Sequence, residues 1–254
     1  MKNPETLFAA TILAFSIASS GCGDETPEPI VKHGTAVDHG AALFTDPTIA
    51  GTSLNQYSCG TCHETGTADP SRILAGASLA GVTKRPSYWG GQELDLLRAI
   101  NACSYYFMLK TTPYSAEDEE ARALYAYLES ISASNVGTEA VDFSIVVSIA
   151  DLPAGDSTRG KGLYDRACAY CHGPTHTGKG RLVERAPILP EQTLQQHPLG
   201  QYTADEQRLV FVEKVRHGGF ITYSGEMPPF ASEKLSDAEL ADILQYLNLY
   251  ASQP

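Results

Sequence analysis

The pattern C-x-x-C-H occurs twice, at Cys59, Cys62 and His63 and again at Cys168, Cys171 and His172. Two thiols three positions apart at the start of a helix can both reach the vinyl groups along one edge of a porphyrin. The adjacent histidine then aims its imidazole at the iron as the proximal ligand. The rival readings of paired cysteines are weaker. A disulfide framework does not explain a histidine directly after each pair. The motifs lie 109 residues apart, too far for one compact zinc site, and neither has the βαβ setting of a thioredoxin-like pair. The cofactors implied are two haem c groups, bound through Cys59, Cys62, Cys168 and Cys171, with His63 and His172 on the irons.

Each motif stands inside the same larger pattern, which marks an internal duplication. In the second half, Gly160 to Tyr164 opens a helical stretch that leads into Cys168. The far end reads as a helix from Ser236, where Ser236 and Glu239 form a capping box and Leu240, Ile243, Leu244 and Leu247 recur at helical spacing. In the first half, Gly40 to Phe44 matches the opening helix. Ser115 to Asp118, followed by Ala121, Leu124, Tyr125 and Leu128, matches the closing one.

This arrangement resembles the class I cytochrome c fold, in which N- and C-terminal helices cross around a single haem. The resemblance implies an all-α chain of two tandem class I cytochrome c domains, each with a covalently bound haem. It assigns residues 36–132 to the first domain, 133–155 to a linker and 156–252 to the second. The crossings would place Gly40 with Phe44 and Tyr127, and Gly160 with Tyr164 and Tyr246. Glycine is needed there because a side chain would hold the helices apart.

The halves are unequal. Fourteen residues separate Phe44 from Cys59 and three separate Tyr164 from Cys168, so the first half carries an 11-residue insertion ahead of its motif. Between the halves, Ser132–Thr138 and Leu152–Gly155 are rich in turn residues. The β-branched run Phe143–Ile149 between them reads as a short extended segment packed on one domain or across both.

The N-terminus reads as a targeting signal. The apolar run Leu7–Ala18 falls short of the roughly 20 apolar residues of a transmembrane helix and suits a secretory signal. Small residues directly before Cys22 resemble a bacterial lipobox. Residues 1–21 are thus expected to be removed as a lipoprotein-type signal peptide, with Cys22 lipidated and residues 22–35 serving as a tether. The mature chain is expected to have no transmembrane helix and to sit in the periplasm or on the outer face of a bacterial membrane, held by lipid. Eighteen Lys and Arg against 30 Asp and Glu give a net charge of -12. Such a surface excludes non-specific nucleic-acid binding and suits redox partner proteins with basic docking surfaces.

The sixth iron ligand sets potential and reactivity. In the second half the candidate is Met227, 55 residues after His172 and followed by Pro228 and Pro229. Class I cytochromes keep their ligand methionine in such a Met-Pro loop. His217 is the reserve. In the first half Cys103 and Met108 are alternatives, 40 and 45 residues after His63. Helical residues five apart point about 140° from each other, so one cannot stand in for the other. The segment Arg98 to Cys103 resembles the one that carries the cysteine ligand in thiosulfate dehydrogenases and in the SoxA subunit of the sulfur-oxidising complex. His33 and His39 are expected to be solvated.

Two functions of different class remain. One is an exported electron carrier with both irons six-coordinate and no assigned catalytic residue. The other is a dihaem oxidoreductase acting on a small substrate such as thiosulfate, with Lys84, Arg85, Arg72, Arg98 and Lys110 available to an anion.

Overall fold

The computed structural model describes residues 34–66, 69–132, 141–220 and 225–251. The expected signal peptide, Cys22, His33, nearly all of the expected tether and residues 133–140 of the expected linker lie outside them. The fold is all-α: among the described residues only two isolated β-bridges occur, Tyr88 with Glu93 and Leu199 with Tyr202.

In the first half the helices are α1 (Ala36–Thr45), α2 (Cys59–Cys62), α3 (Leu96–Met108) and α4 (Glu119–Ser130). In the second they are α5 (Ser157–Ala167), α6 (Ala169–His172), α7 (Glu191–Gln196), α8 (Ala204–His217) and α9 (Asp237–Tyr246). Helix α9 starts where the sequence places it: the Ser236 side chain accepts from Glu239 N and Glu239 answers at Ser236 N. Helix α4 starts three residues later than its counterpart suggests. Ser115 N–H and Oγ–H both go to the Asp118 carboxylate, which closes a turn, and Asp118 becomes the N-cap. On that helix Ala121, Leu124 and Leu128 are buried as expected, but Tyr125 points to solvent.

Helix α1 crosses α4 and helix α5 crosses α9, each pair around a glycine. A Cβ on Gly40 would lie 2.0 Å from Ala123 O, and one on Gly160 would lie 1.9 Å from Asp242 O. No side chain fits such an approach. Beside each glycine an aromatic pair seals the crossing. Phe44 meets Tyr127 with ring centroids 5.3 Å apart and planes at 53°, and Tyr164 meets Tyr246 at 5.6 Å and 54°. In the second crossing Arg159 adds a clamp, donating from Nε and Nη2 to the buried Asp242 carboxylate, which also accepts from Asp156 N.

The insertion ahead of Cys59 is folded rather than loose. Residues Pro47–Ala50 form a 3-10 turn that buries Ile49 and Ala50, and Lys110 Nζ donates to Ile49 O. Residues 141–147 form no helix or strand and touch both halves. Phe143 stands edge-on to Trp89 in the first, and Ser144 donates twice to the Glu233 carboxylate in the second. The halves also interleave directly. Ala75 and Ile73 enter the core of α5 and α9, while Val183, Leu182 and Ala186 pack on that of α1 and α4. Hydrogen bonds from Ile73 N to the backbone Arg166 O and from Glu184 N to the side-chain Gln56 Oε1 tie the seam.

Candidate haem-binding sites

Both C-x-x-C-H motifs fold as single helical turns, α2 and α6, with the cysteines facing apolar cavities. His63, Cys59 and Cys62 open on a cavity of about 1190 Å³ walled by Leu79, Ile100, Phe107 and Leu124, among others. His172 and Cys168 line a second of about 1880 Å³ together with Met227. A third, of about 690 Å³, lies between the motifs and is lined by residues of both, including Cys62, Cys168, Cys171 and His172.

The two histidines are held in the same way. His63 Nδ1 donates to Ala77 O at 2.8 Å, and His172 Nδ1 donates to Pro187 O at 2.9 Å. With the proton on Nδ1, the ring lone pair is on Nε2, the nitrogen free to bind iron. Burial pushes both imidazoles below their ordinary pKa, so each is neutral at neutral pH and need not shed a proton to ligate. The backbone hugs the first ring closely: a Cβ on Gly76 would lie 2.4 Å from His63 Cε1. Two thiols and a pre-oriented neutral imidazole at an apolar cavity fit a covalently held haem c at each motif.

Met227 is half-buried on the same cavity as His172, and the bottom of α8 fixes its loop. Gly219 N donates to Met227 O, Phe230 N donates to Val215 O, and the buried Arg216 donates from Nη1 to Phe230 O and Leu235 O. The next two residues of that loop, Pro228 and Pro229, line the first cavity, so the two sites share a wall.

On α3, Leu96, Ile100, Cys103 and Phe107 form the central stripe toward the first cavity, and Met108 lies at its edge, about 140° round the helix from Cys103. Met108 is 2% exposed and packs into the core with Leu43, Phe44 and Tyr114. Cys103 is half-open because it faces the cavity. The protein around it pushes its thiol up to about 12, so only a bound metal would hold it as thiolate. Burial also pushes Cys59 and Cys171 up to about 11, Cys168 up to about 12 and Cys62 well above the ordinary thiol.

One histidine departs from expectation. His39 is 5% exposed on the buried face of α1, because the crossing with α4 covers it, and is not solvated. His217 is likewise buried, at the end of α8, with Nδ1 3.7 Å from Glu213. Of the cations weighed for an anion, Arg85 lines the first cavity and donates from Nη2 to Ser78 O and Ala80 O, while Arg98 is exposed and paired with Glu93.

The sequence assigns Trp89 no role. It lines the first cavity in the left-handed backbone region, φ 53°, and its indole stacks on Phe220 at 5.1 Å. The Gly90-Gly91 pair that follows is the only sequence signal of an unusual turn there.

Residues 155–247 match the family model described as Cytochrome C oxidase, cbb3-type, subunit III. None of the curated proteins matches the chain. Among solved structures, thiosulfate dehydrogenase (TsdBA) from Marichromatium purpuratum in its as-isolated form is similar at 18% identity and a TM-score of 0.41. The match covers 89% of this chain and 49% of that one, so this chain spans about half its length. Among the described residues no helix is long and apolar enough to cross a membrane. Residues 155–247 are thus similar to a c-type cytochrome domain, the kind of domain that carries covalently bound haem c and serves in electron transfer.

Proposed function

We propose that the chain is an exported two-haem cytochrome that passes electrons between redox partners. The observation that carries this reading is the matched pair of histidines, each with Nδ1 on a backbone carbonyl and each beside two cysteines on an apolar cavity. Haem c supplies a reversible one-electron Fe(III)/Fe(II) couple at each site. Residues 36–132 and 156–252 would be the two cytochrome c domains. Cys59 and Cys62 would bind the first porphyrin and Cys168 and Cys171 the second, with His63 and His172 as proximal ligands.

Met227 would be the sixth ligand of the second site. Its loop is braced from both ends, and its side chain shares a cavity with His172. For the first site the stripe on α3 favours Cys103 over Met108, which the core already occupies. A thiolate stabilises Fe(III) whereas a thioether favours Fe(II), so Cys103 would set the first site at the lower potential. The acidic surface, net charge -12, would meet basic surfaces on the partners, and a lipid on Cys22 would keep the protein at the outer face of a bacterial membrane.

Spectroscopic redox titration of the holoprotein tests the carrier reading. Two reversible one-electron steps, with no turnover of added thiosulfate, are expected. One observation favours a second reading: Cys103 sits at the centre of the wall of a cavity of about 1190 Å³, where it could serve an oxidoreductase acting on a small sulfur substrate. Sustained thiosulfate-dependent reduction that fails in Cys103→Ser would replace the carrier with that enzyme.

A further inference from the structure

Arg72 lies where the two C-x-x-C turns meet, and it touches the same position of each. In the first motif it donates from Nη2 to the carbonyl of Thr61, the second intervening residue, at 3.2 Å. In the second motif its guanidinium lies 3.9 Å from the ring centroid of Tyr170, which is again the second intervening residue. The neighbouring Ile73 N donates to Arg166 O at 3.0 Å, which pins the arginine's own strand of chain to the end of α5. Arg72 lines the cavity of about 690 Å³ that Cys62, Cys168, Cys171 and His172 also line. Its Nε is buried with no acceptor among the described residues. The charge reaches both motifs: it opposes the rise that burial imposes on the thiols of Cys62 and Cys171.

We propose that Arg72 is a positioning and potential-setting residue shared by both haem sites. It holds the two C-x-x-C turns in register and places one positive charge between them. This rests on the two-haem reading above. A cation in a site of low dielectric disfavours the more positive Fe(III) form, so Arg72 raises both potentials. The planar guanidinium suits the task because it can stack on Tyr170 and donate in its own plane to Thr61 at once, which an ammonium cannot.

The test is a redox titration of holoprotein carrying Arg72→Gln and Arg72→Lys beside wild type. Arg72→Gln is expected to weaken reduction at both irons by about tenfold each, a fall of about 59 mV at each step. Arg72→Lys keeps the charge and is expected to recover most of both shifts. Equal falls in the two variants, or a fall at one site alone, would overturn the proposal. Should Arg72→Gln not mature, Arg72→Met removes the same charge and decides: a fall at both steps that Arg72→Lys recovers supports the proposal, and wild-type potentials at either step overturn it. A wild-type chain with a single haem would overturn the two-haem reading itself. Two haems with potentials indifferent to Arg72 would overturn only this inference.

Discussion

His172→Ala is expected to abolish the low-spin spectrum of the second site and leave that of the first in place. His63→Ala should do the reverse. The effect is large because, among the described residues, each imidazole is the pre-oriented nitrogen at its cysteine pair, fixed through Nδ1 by Ala77 O or Pro187 O. The cysteines would still attach the porphyrin, so haem is retained while its ligation changes. Optical and EPR spectra of the oxidised variants check this, and each should lose about half of the low-spin intensity. A small shift in the remaining signal is expected as well, since Pro228 and Pro229 of the Met227 loop form part of the first cavity's wall. Loss of both spectra in either variant would mean that the two sites do not form independently.

The second large effect is expected at Cys103. Low-temperature EPR of the oxidised holoprotein should contain a thiolate-type low-spin signal that disappears in Cys103→Ser and persists in Met108→Leu. The potential of the first site should rise when the thiolate is lost, because a thiolate stabilises Fe(III). Met108→Leu is close to isosteric at a residue 2% exposed, so it should cost under about 1.5 kcal/mol and leave the signal unchanged. Loss of a His/Met-type signal in Met108→Leu instead would move the ligand to Met108 and make Cys103 a packing residue.

Much of the fold is legible in the sequence because it depends on local rules. The capping box at Ser236 and Glu239 starts α9 as written, and Gly40 and Gly160 mark the two crossings, since only glycine survives a carbonyl at the 2.0 Å or 1.9 Å a Cβ would meet. The C-x-x-C-H spacing names six candidate site residues for the same reason: the chemistry is confined to five consecutive positions. What the sequence hides is set by the tertiary arrangement. The carbonyls that orient the histidines belong to Ala77 and Pro187, and every residue has a carbonyl, so no side-chain signal exists. Which of Cys103 and Met108 lies at the centre of the stripe toward the cavity depends on the rotation of α3 about its own axis. His39 is expected from the sequence to be solvated, yet it lies on the buried face of α1. Arg72 is, in the sequence, one of five cations available to an anion, and its position between the motifs follows only from how the halves pack against each other.

The central claim is that one chain carries two covalently bound haems. Intact mass together with a pyridine haemochrome assay, on protein matured with c-type haem attachment, tests it most directly. Wild type is expected to carry two haems that survive denaturation, with one remaining in Cys59→Ser/Cys62→Ser and one in Cys168→Ser/Cys171→Ser. A wild-type chain with one covalent haem, or haem that dissociates on unfolding, would contradict the account.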